Sequence, residues 1–311
     1  MMKQGMLTQT QYDLLKEIAG IDEIPSGAYN IRANGHAAGR RSTEKIEITP
    51  KTDHPGIDIR VRPGVKGETV YIPVVMTESG MNDVVYNDFY IGAGADVDIV
   101  AGCGIHNDGC SDSEHDGIHR FFIGKGAHVK YVENHYGAGV GTGARILNPT
   151  TEVYMEEDAS CEMEMTQIRG VNSTVRETTA RLDARAKLLI TEKLMTHGNQ
   201  KAQSDVTVDL NGEDSSARIV SRAVARDQSE QVFCMRANGN ARCRAHIQCD
   251  AIIMDRTTVR SIPEITATCA DAQLVHEAAI GRINNDQMMK LCTLGLSEEE
   301  AENVIIEGFL K

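Results

Sequence analysis

Six segments carry one signature, a turn-rich lead ending in alanine followed by alternating residues: GAGADVDIV, GKGAHVKYV, EEDASCEMEM, DARAKLLIT, EDSSARIVS and NGNARCRAHIQC. Their anchoring alanines are Ala95, Ala127, Ala159, Ala186, Ala217 and Ala241, separated by 32, 32, 27, 31 and 24 residues. A strand–turn–strand unit that recurs every 20–50 residues marks a solenoid, because each coil buries its apolar face only against its neighbours. The repeats are not exact, so a β-sandwich of regular hairpins is the competing architecture. Aromatics supply only 4% of the residues and tryptophan none. A core without large rings suits narrow, layered packing, and the β-helix is the expected fold.

Upstream, period-two runs at Ile46/Ile48, Ile57/Ile59/Val61, Val70/Ile72/Val74 and Val97/Ile99 extend the strand pattern. Before them, residues 7–18 space Leu7, Tyr12, Leu14, Leu15 and Ile18 as a short helix, ended by Gly20, Pro25 and Gly27. After residue 276 the texture is helical again. One helix carries Ile280, Ile283, Met288, Leu291 and Leu294; Gly295 breaks it; Ser297 and Glu300 form a capping box for a second. Such a pair closes a solenoid or docks a partner, and periodicity does not separate the two. The expected divisions are 1–44, an N-terminal helical or irregular segment; 45–275, the β-helix core; and 276–311, a C-terminal helical unit.

The net charge of −13 disfavours nucleic acid and anionic membrane surfaces. No apolar run reaches the roughly 20 residues of a membrane span, and Met1–Gly20 lacks a signal-peptide core. A cytoplasmic protein is expected. Its eight cysteines then read as reduced thiols, either small core residues or ligands.

Two constellations could carry chemistry. Along RCRAHIQCDAIIM the odd positions Cys243, Ala245, Ile247, Cys249, Ala251 and Ile253 form an apolar face, so Cys249 reads first as an inert core thiol. In the chemical reading Cys249 converges with His276 and Glu277 at a strand-to-helix junction, offering thiolate, imidazole and carboxylate to iron. The second set is Cys103, His106, Cys110, His115 and His119, five ligands in seventeen residues that zinc or iron would accept. Its bland reading is a polar loop. His128 and His135 read as strand surface, and Met163, Met165, Met195, Met288 and Met289 as gap-fillers. The glycine-rich GAGVGTG at 137–143 lacks the Lys-Ser/Thr of a phosphate loop and reads as a turn.

The ordered set IQCDAIIMD, SIPEITA, QLVHEAAIG, Asp286–Gln287 and GLSEEEAENVIIEGF resembles the C-terminal end of the SufB/SufD family, scaffolds of SUF-type iron–sulfur assembly. The resemblance implies a right-handed parallel β-helix and a scaffold, not an enzyme, that pairs with itself. It implies a SufC-like ABC ATPase docked at Asp286, Gln287, Leu291, Leu294, Gly295, Leu296 and Phe309. Cys249, Glu277 and His276 match the positions of cluster assembly, with a sulfur donor and apoprotein acceptors as further partners. A second, upstream cysteine of SufB-type chains falls near Glu192, where this chain has no thiol. A simplified homodimeric form is the expectation, with a SufD-like structural subunit or a metal enzyme using residues 103–119 as alternatives.

Overall fold

A computed structural model describes residues 7–311; residues 1–6, part of the stretch read for a signal peptide, lie outside it. The chain opens with α1 (Gln9–Ala19), capped by Thr8 and Gln11 in a reciprocal box and closed by Gly20 at φ 62°. Four strands follow, β1 (Ala28–Ala33), β2 (His36–Arg41), β3 (Ile46–Pro50) and β4 (Gly56–Val61). The next seven are β5 (Glu68–Met76), β6 (Asn82–Ile91), β7 (Asp96–His106), β8 (Ser113–Ile123), β9 (His128–Ala138), β10 (Arg145–Leu147) and β11 (Thr150–Met155). The coils then become regular: β12 (Ser160–Arg169), β13 (Ser173–Leu182), β14 (Lys187–Thr196), β15 (Lys201–Leu210), β16 (Ser216–Ala225), β17 (Glu230–Gly239) and β18 (Arg244–Ile253). The last elements are β19 (Thr258–Ala267), β20 (Gln273–Gly281), α2 (Asn285–Thr293) and α3 (Glu298–Leu310).

From β5 onward the chain alternates between two sheets, β10 and β11 together making one pass through the second, so that every strand pairs in parallel with a strand one coil away. The result is a two-sheet parallel β-solenoid of about eight turns with the expected helices at its ends. Among the described residues only β1–β2 and β3–β4 pair antiparallel, and they close the first coil. Strands therefore begin inside the segment expected to be helical or irregular, at Ala28, and the last strand runs to Gly281, past residue 276.

The repeat has a simple physical basis. Ala95, Ala127, Ala159 and Ala186 each end a tight turn whose amide bonds back three residues, and each is fully buried as its chain enters the first sheet. The later anchors are Ser215 and Ala272, by the same turn bond, with Cys243 at the matching place before β18. Ala217 and Ala241 lie two residues to either side of these positions. With this correction the spacing becomes 32, 32, 27, 29, 28 and 29 residues. Only a small side chain fits where the chain turns into the core, and serine, cysteine and alanine all satisfy that.

Between the sheets lies one continuous core of Val, Ile, Leu, Ala and Met, with Phe89 stacked on Phe121 at 4.4 Å. Met163 and Met165 fill it as expected, whereas Met289 is 63% exposed. The glycines of 137–143 serve close packing: a Cβ on Gly143 would lie 2.1 Å from Ser111 O, and one on Gly139 2.3 Å from Asn107 O. α1 covers the outer face of the first sheet, laying Leu14 and Ile18 over Gly104 and Gly102. α3 packs Ile306 and Leu310 on Val224, fastened by Arg226–Glu302 at 2.5 Å and by Arg222 donating to Phe309 O. Among the described residues no helix is long and apolar enough to cross a membrane.

Candidate functional site

Cys249 lies on β18, where Ala245, Ile247, Cys249 and Ala251 face inward and are buried. His276 lies on β20 and not at a helix start; its Nε2 is 3.5 Å from Cys249 Sγ. Burial pushes the thiol up to about 11 and lowers the imidazole below its ordinary value. Both groups are thus neutral at pH 7, a thiol beside an imidazole whose Nδ1 has no partner. A soft cation reaching the sulfur would find an acceptor for its proton already in place.

Glu277 does not join them. As the next residue of an extended strand it points to the opposite face, and its Oε1 meets His246 Nε2 at 3.0 Å on the outside of the coil. The expected trio therefore separates into an inner Cys249–His276 pair and an outer His246–Glu277 pair. The inner column beneath Cys249 runs through Ser221 to Glu192 on successive strands of the first sheet. Glu192, at the position matched to the upstream thiol, is buried. Its Oε1 accepts from Ser204, Arg176 lies 3.8 Å away, and burial raises its pKa. Ser221, Ser261 and His246 belong to this site and were missed; strand parity around Cys249 was the one signal that could have found them.

The second set is also divided. Cys103, His115 and His119 point into the solenoid, whereas His106 bonds Asp108 at 2.9 Å and Cys110 is exposed. β8 is a strand with every odd residue buried, not a polar loop. His135, expected on the surface, is buried beside Glu133 in β9; His128 is half-buried and bonds Ser160. Arg176 Nη1 holds Glu133 Oε2 at 2.5 Å and Tyr131 donates to Glu133 Oε1 at 2.9 Å. Despite burial, Arg176 and His135 hold the Glu133 carboxyl well below its usual range. Burial lowers His119 to about 4. Among the described residues, no three His, Cys, Asp or Glu side chains are already gathered about one metal-sized point.

At the C-terminus, Asp286 and Gln287 are exposed, and the Asp286 amide donates to the Asn284 side-chain cap. Leu294 is 80% exposed beside Gly295 at φ 99°, while Leu291, Leu296 and Phe309 are half-buried. The outer strands β19 and β20 leave Ile262, Ile265, Val275 and Ile280 exposed at the end of the solenoid.

A family model described as SUF system FeS cluster assembly, SufBD core domain, matches residues 76–309. An iron–sulfur cluster assembly SufBD family protein of Methanothermobacter thermautotrophicus is 28% identical over 221 residues, 70% of this chain and 52% of that protein. One from Methanocaldococcus jannaschii is 31% identical over 192 residues, 60% of each chain. The iron–sulfur cluster assembly protein SufB of Bacillus subtilis is 31% identical over 104 residues, 31% of this chain and 22% of that protein. The chain spans about half the length of the first of these relatives.

Proposed function

The chain belongs to the SufBD family of iron–sulfur cluster assembly proteins, and from that premise we propose that it is a scaffold on which a nascent cluster is built at Cys249. The observation that carries this reading is the 3.5 Å contact between Cys249 Sγ and His276 Nε2, one strand from the open end of the solenoid. Thiolate and imidazole both suit iron, and the iron in turn binds the sulfide. The cluster is cargo, held and passed to apoproteins. Glu277, on the outer face, is a ligand only if a second subunit or a coil movement brings it round.

In this reading the exposed apolar residues of β19 and β20 pair two copies of the chain, and α2 with the Leu294–Leu296 turn receives a SufC-like ATPase. Hydrolysis belongs to that partner, and the chain works in the cytoplasm. Sulfur arrives from a donor by a route that does not use a thiol at residue 192.

The test is anaerobic reconstitution with ferrous iron and sulfide, read by visible absorbance. Wild type should assemble a cluster, with Cys249→Ser losing it and His276→Gln forming it slowly. Equal assembly in Cys249→Ser would remove that residue from the mechanism. The burial of Cys249 and the outward Glu277 favour a second reading, a structural subunit without a cluster, and failure of wild type to assemble any would select it.

A further inference from the structure

The interior of β8 repeats His-x-Gly-x-His at period two, so His115, Gly117 and His119 share one buried face. The glycine between them matters. The point where a Cβ on Gly117 would sit is 3.3 Å from His119 Nε2 and 3.5 Å from His115 Nε2. Both imidazoles therefore turn the same nitrogen toward one spot that the missing side chain leaves open. Cys103, entering from β7 in the opposite sheet, lines the same enclosed cavity of about 10 Å³, room for one atom-sized occupant.

Each imidazole is also held from behind. His119 Nδ1 is 2.8 Å from the hydroxyl of Tyr131, which donates to the Glu133 carboxylate. The phenol proton is thus committed to Glu133, so His119 carries its own proton on Nδ1 and keeps the Nε2 lone pair for the cavity. Its present partner there is Asn87 at 3.3 Å. His115 Nδ1 lies 3.3 Å from Asp83 Oδ2, and Asp83 is anchored by Arg32 at 2.8 Å. Neither His115 Nδ1 nor Asp83 Oδ2 makes a well-formed hydrogen bond, although both residues are more than nine-tenths buried. A phenol backed by a carboxylate behind His119, and a carboxylate close to His115 Nδ1, resemble the outer partners that orient metal-bound histidines.

We propose that His115 Nε2, His119 Nε2 and Cys103 Sγ bind a single divalent transition-metal ion, zinc or ferrous iron, inside the solenoid above Gly117. An ion would lie above Gly117, at van der Waals distance from its Cα, and the two nitrogens would close on it to a bond of about 2.1 Å by side-chain torsion. The site is separate from Cys249 and does not depend on the scaffold reading. It would fasten the second sheet to the first where the coils are least regular.

Co²⁺ is the probe, titrated anaerobically into the full-length chain. The Cys249→Ser chain, in which the Cys249–His276 pair offers no sulfur ligand, should bind one equivalent, with visible ligand-field bands and a sulfur-to-cobalt charge-transfer band. In that background Cys103→Ser should lose the charge-transfer band. Gly117→Ala fills the cradle without removing a ligand, and with His115→Gln should weaken binding at least about tenfold; Asp83→Asn should cost roughly 10- to 100-fold. Co²⁺ should raise the thermal midpoint of wild type and not of Gly117→Ala. Cys103→Ser is the mildest substitution and decides the matter if the others do not fold. A charge-transfer band that survives it, or no saturable binding by folded wild type, overturns the site. Zinc and ferrous iron are then told apart by metal analysis of protein purified anaerobically.

Discussion

Cys249 and His276 meet diagonally: the ladder partner of Cys249 is Ala278 and that of His276 is Ile247, yet Sγ and Nε2 close to 3.5 Å. The imidazole reaches forward by one inward position to cover the thiol. Because burial holds the thiol near 11, its thiolate fraction should climb about tenfold per pH unit across the neutral and mildly alkaline range. Alkylation of Cys249 by iodoacetamide, followed on its peptide by mass spectrometry, should show that slope. His276→Gln, which removes the acceptor that favours the neutral thiol, should speed it by roughly fivefold, the worth of one hydrogen bond of about 1 kcal/mol. A rate that levels off near pH 8 would contradict the burial.

The interior histidine makes a stability prediction in acid. His119 titrates at about 4 in the fold against 6.5 unfolded, so between those values the unfolded chain binds the extra proton. Stability is full above pH 6.5 and falls as pH drops toward 4, by about 3 kcal/mol for this one group. Glu133 acts in the same direction lower down, its depressed pKa giving stability that is lost as pH falls below the usual carboxylate range. Urea midpoints measured from pH 7 to pH 4 should decline, and His119→Gln should flatten the upper part of that decline. An unchanged slope in His119→Gln would place the acid sensitivity elsewhere.

Arg176 is the countercharge for Glu133, and Glu192 shares it. Arg176→Met should cost about 3–5 kcal/mol, because it strands an ionised carboxylate in the core. Adding Glu133→Gln should recover most of that loss. A double variant no more stable than Arg176→Met would mean that packing, not charge, dominates at this position.

How far the residues alone reveal this molecule depends on parity. The solenoid was legible because its turns demand a small anchor at each entry to the first sheet, and the alternation that follows is a strand property. Cys249 was legible as inward-facing for the same reason. His276 and Glu277 were misjudged because adjacent residues converge plausibly at a helix start but diverge in a strand, and β20 runs on to Gly281. Residues 103–119 misled in the opposite way. Their Gly, Asp, Ser and His composition is that of a loop, while from 113 on the odd positions Ser113, His115, Gly117, His119, Phe121 and Ile123 already spell one inner face. Polar residues inside a coil defeat a pattern that equates inward with apolar.

The glycines at 137–143 offer a test of their packing role. Gly143→Ala would set its Cβ against Ser111 O and Gly139→Ala against Asn107 O, both backbone atoms that cannot swing aside. Each should cost at least about 1–3 kcal/mol, seen as a lower denaturant midpoint, and neither should alter nucleotide binding. ATP affinity in wild type that these variants abolish would revive the phosphate-loop reading.

The C-terminal helices close the solenoid on one side and present a free surface on the other, and substitutions can separate these roles. Ile306 and Leu310 are buried against Val224, so Ile306→Asp should loosen α3 from β16 and lower stability by several kcal/mol. Leu294 and Met289 are exposed at 80% and 63% and touch no core. Leu294→Asp and Met289→Asp should therefore leave the unfolding midpoint within about 0.5 kcal/mol of wild type. If this face receives the ATPase, the same two changes should abolish its co-purification from the native host under anaerobic conditions. Retention of the ATPase by a folded Leu294→Asp/Met289→Asp chain would move the docking surface elsewhere, because a charge buried at the centre of an apolar contact costs far more than such an interface can spare.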